Sequence, residues 1–193
     1  MRSAIERVES QTSAELVVAV RRQAAQSYLG ADLGFGALVA LAVLTLILFV
    51  EREFATTWIP VDVAVAFVAG ALLCRYTLTL RRLLVPSKRR QEETRRAACA
   101  AFHDMGVGRT SGRNGILVLV ALFERKVAVV PDVGVDPALL RDCITRLEQA
   151  VDRLDPDFSA FVAALESIGP ALASAMPRSE DDVNELPDEM GVA

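Results

Sequence analysis

Eighteen consecutive residues, Leu33 to Val50 (LGFGALVALAVLTLILFV), carry no charge. A hydrocarbon core of about 30 Å is crossed by about 20 helical residues, so this run is long enough to span a bilayer. A second apolar run, Ile59 to Cys74, follows after a short polar turn, and the two read as a transmembrane hairpin. The pair constrains the chain because it interrupts what otherwise reads as one soluble α/β domain. The mean hydropathy of +0.34 and the 52% share of hydrophobic residues trace to residues 33–74. About 150 residues remain outside them, enough for one compact core.

The second run is the shorter of the two. Pro60 suits a first helical turn, Asp62 lies near the positive end of the helix dipole, and Trp58 and Tyr76 bracket the segment as interfacial aromatics do. A buried soluble helix is the rival for a run of this length. Asp62 as an intramembrane functional group is the rival to interfacial solvation.

Charge then sets an orientation. Residues 75–96 hold eight Arg/Lys (Arg75, Arg81, Arg82, Lys88, Arg89, Arg90, Arg95, Arg96) against Glu92 and Glu93, and Arg21 and Arg22 precede the first run. The connecting turn, residues 51–57, is net acidic. Basic flanks stay in the cytoplasm, which places both termini in the cytoplasm and the turn outside. Attraction to anionic lipid headgroups, about 1 kcal/mol per basic residue near the surface, accounts for the block 75–96. It lacks the interleaved aromatics of a nucleic-acid surface, so no nucleic-acid partner is expected. Cys74, Cys99 and Cys143 have no paired spacing, which suits a reducing compartment. The apolar run starts too deep, and has no small-residue cleavage site after it, to read as a signal peptide.

Four segments follow: residues 1–22 as the first part of the domain, 30–80 as the hairpin, 86–175 as the remainder, and 176–193 as an acidic tail expected to be disordered. Ile5 and Val8 mark a short helix, and Ala14–Arg21 is a Val-rich buried strand. A charged helix opens at Pro86-Ser87 and runs to about Met105, with Ala98, Ala101, Phe102 and Met105 on its apolar face. Gly106–Gly115 is a turn-rich loop, and Ile116–Phe123 with Lys126–Val130 read as an antiparallel hairpin closing at Glu124-Arg125. Asp136-Pro137 and Asp155-Pro156 each read as a helix start, the second helix turning Phe158, Phe161, Val162, Leu165, Ile168 and Leu172 inward with a kink or stop at Gly169-Pro170. The fold class is α/β: a small mixed sheet covered by helices and interrupted by the two-helix hairpin.

These residues resemble a known family. Ile5-Glu6-x-x-Glu9-x-x-Thr12-Ser13-Ala14-Glu15-Leu16-Val17-Val18 looks like the helix-then-first-strand signature of the TPM domain. Ala98-x-x-x-Phe102 leading to Gly106-x-x-x-Thr110, Arg113-Asn114-Gly115-Ile116-Leu117, Glu124-Arg125-Lys126-Val127 and Asp132-x-Gly134-Val135 continue it over about residues 3–140. The resemblance is to a bacterial membrane-bound subgroup with the hairpin as an insertion. It implies a TPM-like α/β sandwich acting on membrane-protein complexes. It also implies that acidic residues in this region bind divalent metal in some members, and phosphatase activity has been proposed for a few. Lumenal and secreted members carry a signal peptide, and this chain departs from them in that respect.

Strand geometry gathers the polar candidates. If the first strand runs parallel to Ile116–Phe123 through a crossover helix, and Ile116 pairs near Val130, then Glu15, Thr12, Arg109, Arg113, Asn114 and Asp132 meet at one sheet edge. That edge lies at the opposite end of the first strand from the hairpin. Carboxylates suit a hard cation such as Ca²⁺ or Mg²⁺, with Glu15 and Asp132 as candidate ligands; glycine amides and Arg suit an anion. The simpler expectation is an Arg113–Asp132 or Arg109–Glu15 ion pair with Asn114-Gly115 as a turn. No catalytic constellation is evident. His103 is a lone surface histidine beside Asp104, the Gly-rich loop lacks the nucleotide-binding order, and no nucleophile elbow is present. The expected function is a membrane-anchored, non-catalytic interaction or assembly module. The alternative is a divalent-metal-dependent phosphoester hydrolase using Glu15 and Asp132.

Overall fold

The computed structural model describes residues 1–50, 56–153, 155–178 and 186. Most of the acidic connecting turn and most of the acidic tail lie outside the described residues. In chain order the elements are α1 (Arg2–Glu9), β1 (Glu15–Arg21), α2 (Leu29–Phe49), α3 (Ile59–Tyr76), α4 (Leu78–Leu84), α5 (Ser87–Asp104), β2 (Gly115–Ala121), β3 (Lys126–Pro131), α6 (Arg141–Val151), α7 (Phe158–Glu166) and α8 (Gly169–Ala175). Short 3-10 turns at Val107–Arg109 and Pro137–Leu140 complete them. The chain divides into two units: Met1–Ala25 with Lys88–Ala193, and Gln26–Ser87.

The first unit is built on a three-stranded mixed sheet in the order β1-β2-β3. β1 runs parallel to β2 with Glu15 opposite Gly115, and β2 runs antiparallel to β3 with Ile116 opposite Pro131. The hairpin register is thus one residue from the Val130 pairing expected from sequence. The reason is a four-residue connection, residues 122–125, in which Arg125 takes φ +51°. Central β2 is buried along its whole length, which explains its unbroken apolar run: both faces are covered.

Alternation sorts the strands' side chains into two layers. Leu16, Val18, Ile116, Val118 and Val120 pack with α1, α6, α7 and α8. Val17, Ala19, Leu117, Leu119, Ala121 and Ala128 pack with Ala97, Ala98 and Ala101 of α5 and with Val107. Met105, expected on the apolar face of α5, is instead 37% exposed.

The 3-10 turn at Pro137 is capped as expected, Asp136 Oδ1 accepting from Ala138 N at 2.9 Å. The cap of α7 is Asp157, whose Oδ1 accepts from Ala160 N at 2.9 Å, rather than Asp155. Starting two residues later, α7 leaves Phe158 60% exposed, and Val162 half-buried; Phe161, Leu165, Ile168 and Leu172 point inward as expected. The chain breaks at Ser167-Ile168 and restarts as α8 with Pro170 in its first turn.

In the second unit α2 and α3 pack antiparallel. A Cβ on Gly36 would meet Phe67 O at 2.7 Å, and one on Gly70 would meet Val39 Cβ at 2.9 Å, so only glycine permits this approach. Asp32, Gly36 and Ala40 on α2 and Gly70 and Cys74 on α3 form the buried seam. Asp32 Oδ2 pairs with Arg81 Nη2 at 3.0 Å, and the Arg81 guanidinium lies 5.6 Å from the centre of the Tyr28 ring. A residue in extended conformation, Thr77, separates α3 from the unanticipated α4.

Both α2 and α3 are long and apolar enough to cross a membrane, which is compatible with a membrane protein. The run Phe158–Ala175 meets the same criteria of length and composition. It is divided between α7 and α8, however, and its inner face belongs to the sheet's core.

Candidate functional site

Glu15, Gly115 and Asp132 form one row across the end of the sheet. Glu15 stands opposite Gly115, and Asp132 N donates to Gly115 O at 2.8 Å. Outer strands of a three-stranded sheet lie about 10 Å apart, so the two carboxylates flank the glycine on the α5 face. Glu15 is 6% exposed and Asp132 5%. Gly115 is required here because Val107 O sits where its Cβ would be.

The remaining candidates take separate places. Arg113 Nε stands 3.1 Å from Asp132 Oδ2, with side-chain exposures of 55% and 3%. Arg113 Nη1 also donates to Gly108 O at 2.9 Å. Its φ of +52° is held by its carbonyl, which accepts from Gly134 N at 2.9 Å. Asp132 Oδ1 accepts from Val133 N at 2.8 Å. Asn114, expected beside Asp132, turns toward β1: its Nδ2 donates to Ser13 O, and its carbonyl accepts from Glu15 N at 3.3 Å. Asn114 N in turn donates to Thr110 Oγ1 at 3.2 Å. Arg109 is exposed on the 3-10 turn above Gly115. Of the two ion pairs expected from sequence, Arg113–Asp132 forms; Arg109 makes no ion pair among the described residues. Thr12 lies at this end of the sheet but serves the chain, its Oγ1 donating to Met176 O at 2.7 Å.

The edge is therefore rich in buried acceptors. Asn114 Oδ1 receives no hydrogen bond among the described residues, while Asp132 Oδ2 already faces the Arg113 guanidinium. A Ca²⁺ ion takes six to eight oxygens. Among the described residues no three His, Cys, Asp or Glu side chains cluster as ligands. Glu15 and Asp132 contribute two carboxylates. His103 is exposed.

Other polar residues of the sequence motifs brace the backbone. Glu9 Oε1 accepts from Leu16 N at 3.0 Å. Glu124, fully buried, accepts from Ala24 N at 3.0 Å through each oxygen and from Ala25 N at 3.3 Å. Its carbonyl accepts from Arg90 Nη1 at 2.9 Å. Sequence reasoning treated Glu124 as a turn residue; an acid closing an apolar hairpin was the available signal.

The fold and this edge define a class: a small α/β domain with a three-stranded mixed sheet, into which an apolar helical pair is inserted. No family model matches the chain, and no curated protein matches it. Among solved structures it is similar to the NMR structure of the BA42 protein from the psychrophilic bacterium Bizionia argentinensis. The TM-score is 0.57 at 16% identity, over 100% of this chain and 89% of that one. At that identity the likeness concerns the fold alone.

Proposed function

We propose that this chain is a membrane-anchored, non-catalytic interaction module of a bacterial inner membrane. Its TPM-like domain faces the cytoplasm, and α2 and α3 cross the bilayer as a hairpin. The observation that carries this reading is the outer surface of α2 and α3. Leu38, Leu41, Leu46, Leu48, Val65, Val68 and Leu73 are all more than half exposed. A helix apolar on every side needs a protein core or lipid around it, and these two bury only a narrow glycine-centred seam. The basic residues after α3 suit the cytoplasmic leaflet. On the domain, the motif residues Glu9, Thr12, Thr110 and Glu124 are engaged with backbone groups and brace the fold.

Topology is tested by single cysteines in a chain with Cys74, Cys99 and Cys143 replaced. Thr56→Cys should react with a membrane-impermeant thiol reagent in intact spheroplasts, and Ala193→Cys only after permeabilisation. The reverse pattern would invert the domain's location. Turnover of a generic phosphoester with Mg²⁺ or Ca²⁺, abolished by Asp132→Ala, would overturn the non-catalytic reading.

A further inference from the structure

Phe158 and Leu122 are large apolar side chains left 60% and 48% exposed, although both belong to the sheet-based unit. They stand at the rim of one cavity of about 150 Å³, whose floor is formed by the buried side chains of Val120, Val151 and Phe161. The cavity lies between the 122–125 connection and the α6–α7 junction, at the end of the sheet opposite Glu15. An apolar cavity of about this size stays dry and admits a six-carbon ring.

One cation marks the rim. Arg125 lines the cavity and is half-buried, and its guanidinium makes no ion pair among the described residues. It stands at φ +51°, a left-handed conformation that glycine would adopt without strain. The charges around it are already matched. Lys126 Nζ pairs with Asp152 at 2.6 Å. Asp157, the other titratable side chain on the lining, accepts from Ser159 Oγ at 2.6 Å and from Ala160 N at 2.9 Å, and lies in the field of Arg153. An apolar chamber with one uncommitted cation at its mouth suits a ligand with an apolar tail and an anionic head.

We propose that this cavity binds a medium-chain fatty carboxylate, with its alkyl chain against Val120, Val151 and Phe161 and its carboxylate on Arg125. Guanidinium and carboxylate form a charge-assisted, two-point hydrogen-bonded pair, while the alkyl chain gains by leaving water. The volume sets the length: about six chain carbons are enclosed, so octanoate fills the site and longer chains extend past Phe158 into solvent. This site does not depend on the interaction-module reading, because it uses neither the exposed surface of α2 and α3 nor the Glu15–Asp132 edge.

The probe is radiolabelled octanoate at neutral pH, measured by equilibrium dialysis against the full-length chain in phosphatidylcholine nanodiscs, with empty nanodiscs as the blank. Saturable binding above the blank is expected. From butanoate to octanoate each added methylene should tighten it about fourfold. Beyond octanoate the protein-dependent part should level off, whereas partition into the blank keeps rising. Arg125→Gly removes the cation and relieves the left-handed strain. It should keep or raise the melting temperature, weaken octanoate binding about tenfold and leave binding of neutral octanol unchanged. Val151→Phe fills the cavity and should abolish binding of both. If that variant fails to fold, Arg125→Gly and the chain-length series decide alone. No binding above the blank, no plateau with chain length, or undiminished octanoate binding by Arg125→Gly would each overturn the proposal.

Discussion

Glu124 holds together two stretches of chain that are 66 positions apart in sequence, from Ala24 to Arg90. Its carboxylate receives backbone N–H groups from one and its carbonyl receives a guanidinium from the other. Deleting that carboxylate leaves these amide donors without their acceptor, a loss of about 2–3 kcal/mol. Glu124→Ala should lower the thermal unfolding midpoint accordingly, and Glu124→Gln, which keeps one acceptor oxygen, should cost roughly half as much. A smaller residue-level effect is set by pH. The hydrogen bond from Ser159 Oγ, then that from Ala160 N, holds the Asp157 carboxyl below the ordinary aspartate range. A group whose pKa is depressed on folding stabilises above its unfolded pKa and loses that contribution as pH falls through the folded value. Asp157→Asn keeps the cap without the charge, so its melting temperature should fall less between pH 5 and pH 2 than the wild type's. Burial pushes the Cys143 thiol up to about 12, and its Sγ lies 3.2 Å from Ala164 O. It is a packing group of the α6–α7 contact.

At the scale of elements, glycine position decides how α2 meets α3. Gly36 and Gly70 sit at the crossing, whereas a Cβ on Gly34 meets nothing within 4 Å. Gly36→Val should therefore cost about 2 kcal/mol or more from overpacking, visible as a lower melting temperature in detergent and faster proteolysis of the hairpin. Gly34→Ala should be neutral or slightly stabilising, by up to about 1 kcal/mol from backbone propensity. If both substitutions behave alike, the seam is not where the geometry puts it. Hydropathy made these helices legible, but not their contact: small residues are spread along both, and only packing selects which glycines touch. The same limit affected α7. The sequence reads its start at Asp155-Pro156, but the cap formed two residues on, where the Asp157 side chain reached an N–H, leaving Phe158 outside.

For the whole molecule, the inserted pair leaves the sheet-based unit and re-enters it at positions both tied to Glu124. A domain whose insertion ends are fixed near one another tolerates exchange of the insertion. Replacing residues 26–87 by a short Gly/Ser linker should give a soluble monomer with a cooperative thermal transition. An aggregated or non-cooperative product would mean that the helical pair is needed for the fold. The candidate edge was partly legible in advance. Residue counting along β1, β2 and β3 brought Glu15 and Asp132 to one end of the sheet, and the Arg113–Asp132 pair formed as expected. Counting could not say that Asn114 would bond across to Ser13 or that Arg109 would stand in solvent. Those outcomes depend on the left-handed turn at Arg113 and on Val107 O filling the space above Gly115.

The sequence by itself determined most of the elements, α4 apart, and most of their buried faces, because apolar period and strand alternation are local properties of the chain. It also marked the two helices that water cannot easily surround. The tertiary structure decided which buried acid became a brace, which glycines made the helical crossing, and that Leu122 and Phe158 border one cavity. Those are contacts between residues far apart in the chain, and their energies come from packing and hydrogen-bond geometry rather than from composition.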